Sequence, residues 1–119
     1  ASPCMKRGEI VLIDFPYTDG RSSKLRPALV VQNDVDNARL RDTIVAMITG
    51  NIRHAQEQTH FLVDPTTPAG ASSGLHGPSC VLGRHLFTVR QTLITRTLGS
   101  LSDEVMQHVD DALKAALGL

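Results

Sequence analysis

The residues best suited to chemistry lie in Lys24-Leu25-Arg26-Pro27-Ala28-Leu29-Val30-Val31-Gln32-Asn33. A permanently charged guanidinium stands directly before a proline, and that proline opens a continuous apolar run. Proline drives the residue before it into extended backbone, so Arg26 is not mid-helix. It is expected at the mouth of a buried strand, close to solvent. A second apolar run, Thr43 to Ile48, ends at Thr49-Gly50. A planar, five-donor cation and a hydroxyl at the ends of two neighbouring strands make a site for an anionic ligand.

Other reactive side chains carry less. Cys80, in Ser79-Cys80-Val81-Leu82, reads as a small buried hydrophobe rather than a nucleophile. None of the five histidines stands at metal-ligand spacing from another His or Cys, so neither a metal nor a cofactor is expected.

The elements that position these residues are mostly short strands. Gly8 to Phe15 is β-branched, bounded by Gly8 and Pro16, and reads as the first strand. Thr18 to Lys24 collects turn formers and the cations Arg21 and Lys24 in a polar loop. Pro27–Gln32 is the second strand, Asn33–Asn37 a turn or short helix, and Thr43–Ile48 a third strand, apolar on both faces and hence central. Thr59–Asp64 is the fourth, followed by a glycine-rich irregular run from Ala69 to Pro78. Ser79–Leu82, Leu86–Val89 and Ile94–Leu98 follow as three further short strands. Such strands, joined by Gly and Pro turns, predict a small β-barrel rather than alternating βα units.

Only the end is helical. Ser102 is an N-cap, and Asp103 and Glu104 suit the positive end of the helix dipole. Val105, Val109, Leu113 and Leu117, with Met106, Ala112 and Ala116, form one apolar stripe, and Gly118 supplies the stop.

Composition sets the bounds. With 119 residues, 41% of them apolar, the chain is expected to be one globular domain over residues 5–119. Ala1-Ser2-Pro3-Cys4, ahead of Met5, reads as a vector-derived remnant. That leaves Cys80 without a partner, which points to a reducing cytoplasm. The longest apolar runs are far short of a membrane span, and no signal peptide is evident. Aromatics are only 3%, with no Trp, so a base-stacking platform has little material. Net charge is zero but unevenly spread. Residues 5–100 hold 11 Lys or Arg against 8 Asp or Glu, a balance of +3, and residues 101–119 hold one Lys against four acids, a balance of −3. A local anion site on the basic body is permitted.

Six segments occur in a telling order: Arg-Gly-Glu-Ile-Val from Arg7, Phe-Pro-Tyr-Thr-Asp-Gly from Phe15, Lys-Leu-Arg-Pro-Ala-Leu-Val-Val from Lys24, Ile-Thr-Gly from Ile48, Gly-Leu-His-Gly-Pro-Ser from Gly74 and Leu-Gly-Ser-Leu-Ser-Asp-Glu from Leu98. Together they resemble the MazF/PemK family of toxins from bacterial type II toxin–antitoxin systems, in register from about Lys6 to Leu119. The resemblance implies an SH3-like small β-barrel with a C-terminal α-helix, assembled as a homodimer. It also implies a ribosome-independent, sequence-specific endoribonuclease acting on single-stranded RNA, chiefly messenger RNA. In such enzymes the ribose 2′-hydroxyl attacks the adjacent phosphate without a metal, leaving 2′,3′-cyclic phosphate and 5′-hydroxyl ends. The family's catalytic arginine and threonine match Arg26 and Thr49. A guanidinium suits the task, because the phosphorane-like transition state gathers negative charge that its N–H groups can meet.

Further RNA contacts implied by the resemblance are Thr18, Arg21, Ser23 and Lys24 in the loop that covers RNA, with Arg53, Arg84 and His85. Phe15 and Tyr17 are stacking candidates, Phe15 also reading as core. The loop lacks the Ser-Glu-Gln run of several members. Arg84-His85 stands where several relatives carry an acidic residue and then Gln or Lys, so base preference is left open. His85, an imidazole, is a further candidate for general acid. The implied partner is an antitoxin whose acidic segment blocks the RNA groove. Two rival readings share the fold: a gyrase poison resembling CcdB, which would lack its Trp-containing tail here, and a noncatalytic RNA-binding or interaction domain.

Overall fold

The computed structural model describes residues 4–16 and 23–119. Its elements are β1 (Glu9–Pro16), β2 (Ser23–Val30), α1 (Asp34–Arg39), β3 (Asp42–Thr49), β4 (His60–Val63), β5 (Ser79–Arg90), β6 (Ile94–Ser100) and α2 (Asp103–Leu117), with one 3-10 turn before β6. The strands form a single sheet in the order β4-β5-β3-β2-β1-β6, every described pairing antiparallel.

Strand β3 has neighbours on both edges and apolar residues on both faces, as its composition predicts. Its alternation feeds two cores, because side chains of a strand point to opposite faces in turn. Ala46 and Ile48 join Ile10, Leu29, Val81 and the helical Val105 and Val109. Val45 and Met47 join Val11, Ile13, Ala28, Val30 and Val89 on the other face.

Helix α2 starts as its sequence dictates. Ser102 Oγ accepts the Val105 backbone N–H at 3.2 Å, and Asp103 and Glu104 occupy the first turn. Val105, Met106, Val109 and Ala112 are buried, whereas Leu117 at the far end is exposed. Gly118 stops the helix in left-handed backbone at φ 72°. The helix packs on β4 and β5. It is tied to the far side by Arg7, which pairs with Asp110 and donates from Nε to the Val31 carbonyl at 2.8 Å.

Two expectations need correction. Strand β2 begins at Ser23, so the β1–β2 hairpin runs on to the Pro16–Ser23 pair and Arg26 lies inside the strand rather than at its mouth. Pro27 is tolerated there because the β2–β3 ladder ends at Ala28, which leaves no β3 neighbour to miss its N–H. Ser79–Leu82 and Leu86–Val89 are not two strands but one, the twelve-residue β5. Gly83 marks a close approach, not a turn: its N–H donates to the Thr59 carbonyl at 2.9 Å, and a Cβ would stand 2.4 Å from that oxygen. The small β-barrel expected from the sequence holds as a barrel-like fold, with β4 and β6 the two ends of its sheet among the described residues. The loop after β4 bridges these two ends. Ser72 accepts the Ser100 N–H at 3.0 Å on its carbonyl and donates its hydroxyl to the Ser100 carbonyl at 2.6 Å.

Candidate active site

Arg26 is exposed and pairs with Ile13 of β1. The β2–β3 ladder pairs Val30 with Val45, Leu29 with Ala46 and Ala28 with Met47, then stops. The same register carried two residues further would set Arg26 opposite Thr49. By strand alternation both belong to the face of Ala28 and Met47, at the lip where the two strands part.

Thr49 is half-buried, and its Oγ1 accepts the Asn51 backbone N–H at 3.2 Å. That leaves the hydroxyl proton free to donate. Asn51 Oδ1 in turn accepts the Arg53 backbone N–H at 3.0 Å, which leaves the amide NH₂ of Asn51 unspent. Beside Thr49 lies a cavity of about 270 Å³, lined by Thr49 and Asn51, by His54 and His60, and by Leu82, Arg84 and His85 of β5.

The far wall of that cavity is made by an irregularity. Ile48 pairs with Val81 and Ala46 with Leu86, so β5 advances five residues while β3 advances two. The surplus forms a large bulge over Leu82–His85, carrying Arg84 and His85 out of the ladder and into solvent. Arg84 is then held from below. Its Nη2 donates to Glu57 Oε2 at 3.1 Å and lies 3.4 Å from His60 Nε2. The His60 side chain is 5% exposed, and its Nδ1 is 2.9 Å from the His54 carbonyl oxygen. A carbonyl only accepts, so Nδ1 carries the proton and Nε2 keeps its lone pair for Arg84.

The cavity therefore brings together three of the expected residues, Thr49, Arg84 and His85, whereas Arg26 does not line it. Lys24 is exposed within β2, paired with Phe15, and belongs to the hairpin instead of a loop. Arg53 is exposed beyond Asn51 and does not line the cavity. Thr18, Arg21 and Tyr17 lie outside the described residues, as does the side chain of Ser23. Phe15 packs partly against the second core, edge-on to Phe87 with ring centres 5.5 Å apart. Asn51, His54, Glu57 and His60 were not singled out from the sequence. Glu57 and Arg84 are 27 residues apart, and only the β4–β5 pairing brings their segments together.

Cys80 is buried, and burial, as the largest cause, pushes its thiol pKa above the ordinary value. It is a core residue. Among the described residues, no three His, Cys, Asp or Glu side chains are grouped to hold a metal ion. No helix among them is long and apolar enough to cross a membrane.

A six-stranded antiparallel sheet with a C-terminal helix, carrying an exposed arginine and a cavity-lining threonine just beyond the β2–β3 ladder, defines a recognisable class of small toxin. The chain belongs to the PemK-like, MazF-like toxins of type II toxin–antitoxin systems, whose family model matches residues 6–117. It is 33% identical over 116 residues to endoribonuclease EndoA of Bacillus subtilis, covering 97% of this chain and 96% of that protein. It is 31% identical to endoribonuclease MazF of Staphylococcus saprophyticus, covering 97% and 92%. Its fold is that of a mycobacterial endoribonuclease solved with its cognate antitoxin, with a TM-score of 0.77 at 24% identity over 99% of this chain and 97% of that one.

Proposed function

We propose that this toxin is an endoribonuclease that cuts single-stranded RNA, with Arg26 and Thr49 as its catalytic residues. The observation that supports this reading is the β2–β3 register, which ends two residues short of the exposed Arg26 on one strand and of the cavity-lining Thr49 on the other. In the reaction the ribose 2′-oxygen forms a bond to phosphorus while the bond from phosphorus to the 5′-oxygen breaks. The 2′-hydroxyl gives up its proton and the departing 5′-oxygen gains one, so a 2′,3′-cyclic phosphate and a 5′-hydroxyl result. The nucleophile comes from the substrate, so the enzyme needs neither an activated serine nor a reactive cysteine. This suits a chain whose Cys80 is buried with a raised pKa.

Arg26 serves as charge stabiliser. Its permanently charged guanidinium meets the charge that grows on the equatorial phosphate oxygens. Thr49 donates its free hydroxyl proton to a phosphate oxygen and holds the attacking and leaving atoms in line. Residues 5–119 act as one domain, in the cytoplasm, as a homodimer. Thr18, Arg21, Ser23, Lys24, Arg53, Arg84 and His85 contribute to RNA binding. An antitoxin with an acidic segment silences the enzyme by covering the same basic lip, so RNA and antitoxin compete.

The test is a long RNA incubated with purified protein in EDTA, with 5′-hydroxyl ends mapped. Arg26→Ala is expected to lower the cleavage rate by about 10²–10³-fold, the usual loss for one preorganised donor, and Thr49→Ala to lower it substantially. No cleavage by the wild type, with gyrase trapped on DNA instead, would sink the reading.

A further inference from the structure

We propose that the cavity beside Thr49 is a nucleobase pocket that accepts keto bases, uracil or guanine, and rejects the amino bases cytosine and adenine. The proposal deepens the reading of the protein as an RNA endonuclease. It rests on which hydrogen-bonding groups the fold has already spent.

Around the cavity the protein engages several of its own acceptors. The Thr49 oxygen takes the Asn51 N–H, the Asn51 side-chain oxygen takes the Arg53 N–H, and His60 Nε2 takes an N–H of Arg84. Against these stand unspent donors, the Asn51 amide NH₂ and three of the five N–H groups of Arg84, two being committed at Nη2, while the rings of His54 and His85 can each turn an N–H toward a ligand. A donor-lined pocket suits a base edge that offers oxygen. Uracil presents O4, and guanine presents O6 and N7. Cytosine and adenine place an NH₂ at the corresponding position, where donor would meet donor.

A phosphate is also an acceptor, so charge decides between the two. Glu57 lies 3.1 Å from Arg84 Nη2 and cancels much of its charge. An anion at that end would meet the Glu57 carboxylate, whereas a neutral base meets only directed N–H groups. The cavity thus divides its work: the Thr49 end takes the phosphate, and the Arg84 end, floored by Leu82, takes the base. Glu57 and the buried His60 are positioning residues. They convert Arg84 from a general backbone-binding cation into a side chain that reads a base edge.

The test uses Arg26→Ala protein, to suppress cutting, and two fluorescent RNA hexamers, hexauridylate and hexacytidylate. These differ at the keto or amino group and the adjacent ring nitrogen. Hexauridylate is expected to bind about tenfold tighter, within the range for a good side-chain–base contact. Adding Arg84→Met is expected to shrink the ratio to about twofold or less. Adding Glu57→Gln is expected to shrink it too, and to steepen the slope of log affinity against log salt by about 0.7, as the freed cation takes a phosphate. Equal binding of the two hexamers, a preference for cytidine, or Glu57→Gln leaving both ratio and salt slope unchanged would overturn the proposal. A wild-type protein that cuts no RNA would overturn the endonuclease reading alone, since the hexamer ratio decides the pocket independently. Where RNA is cut, the mapped ends are expected to share a keto base at one constant position.

Discussion

Replacing Gly83 by alanine tests the construction of the site most directly. The added Cβ would lie 2.4 Å from the Thr59 carbonyl oxygen and 3.2 Å from the Ala112 carbonyl oxygen. Both obstacles are backbone, one leading into β4 and the other in α2, so no side-chain rotation relieves the overlap. The strand must move away from Thr59, which breaks the 2.9 Å hydrogen bond from Gly83 N–H. Overpacking of a tight site costs ~1–3 kcal/mol, and a lost backbone hydrogen bond adds ~1 kcal/mol. Their sum is roughly 3 kcal/mol, or a melting temperature lower by roughly 10 °C for a chain of this size. Urea unfolding with a parallel thermal melt measures it. Gly77→Ala is the control, since a Cβ there meets nothing within 4 Å, and its expected change is within about 0.5 kcal/mol. A loss below about 1 kcal/mol for Gly83→Ala would refute the close approach as the reason for glycine at this position.

Asn37→Ala is expected to cost roughly 3 kcal/mol in urea unfolding, because it strands Gln32 and Thr43, whose side chains both donate to the buried Asn37 oxygen. Ser102→Ala should cost about 1 kcal/mol by removing the cap on Val105 N–H, with loss of helical circular dichroism no larger than one frayed turn. In a thiol assay at neutral pH, Cys4 should react in the folded protein while Cys80 reacts only after denaturation. Because burial raises the Cys80 pKa, the neutral thiol favours the fold below the ordinary value of 9.0, and stability should fall as pH rises through it. Asp36 and Asp64 are held below the ordinary 3.8 chiefly by hydrogen bonds from Asn33 and Thr66. Their contribution is present above that value and lost as pH drops through the lower folded-state pKa, so Asp64→Asn should flatten the acid limb of a melting-temperature profile.

Much of the frame could be read from residue patterns because its signals are local. Gly8 and Pro16 bound β1, two-faced apolarity places β3 inside the sheet, and Ser102 with Gly118 brackets α2 to the residue. The errors arose where one residue type serves two physical ends. Gly83 looks like a turn but permits a close approach, and Pro27 looks like a strand's start but sits where a ladder stops. Arg26 and Thr49 were found through their place in an ordered set of motifs, and their proposed partnership follows from register. Glu57, His60 and Asn51 left no such trace. Their roles depend on a bulge in β5 and on which acceptors are already occupied, neither of which is encoded within any short stretch of chain.

The β5 bulge separates two kinds of constraint on the same strand. Val81 and Leu86 answer to the ladder and to the cores on either side of it, and change there is penalised as misfolding. Arg84 and His85 answer to neither in the same degree, because both are exposed and the register closes again behind them. Substitutions at these two positions can therefore alter the cavity wall with little effect on folding. Here an arginine at the bulge is accompanied by an acid in a distant loop that neutralises it. A substitution at Arg84 alone would leave the Glu57 carboxylate unpaired, so the charge of this bulge is reset without loss only when both residues change.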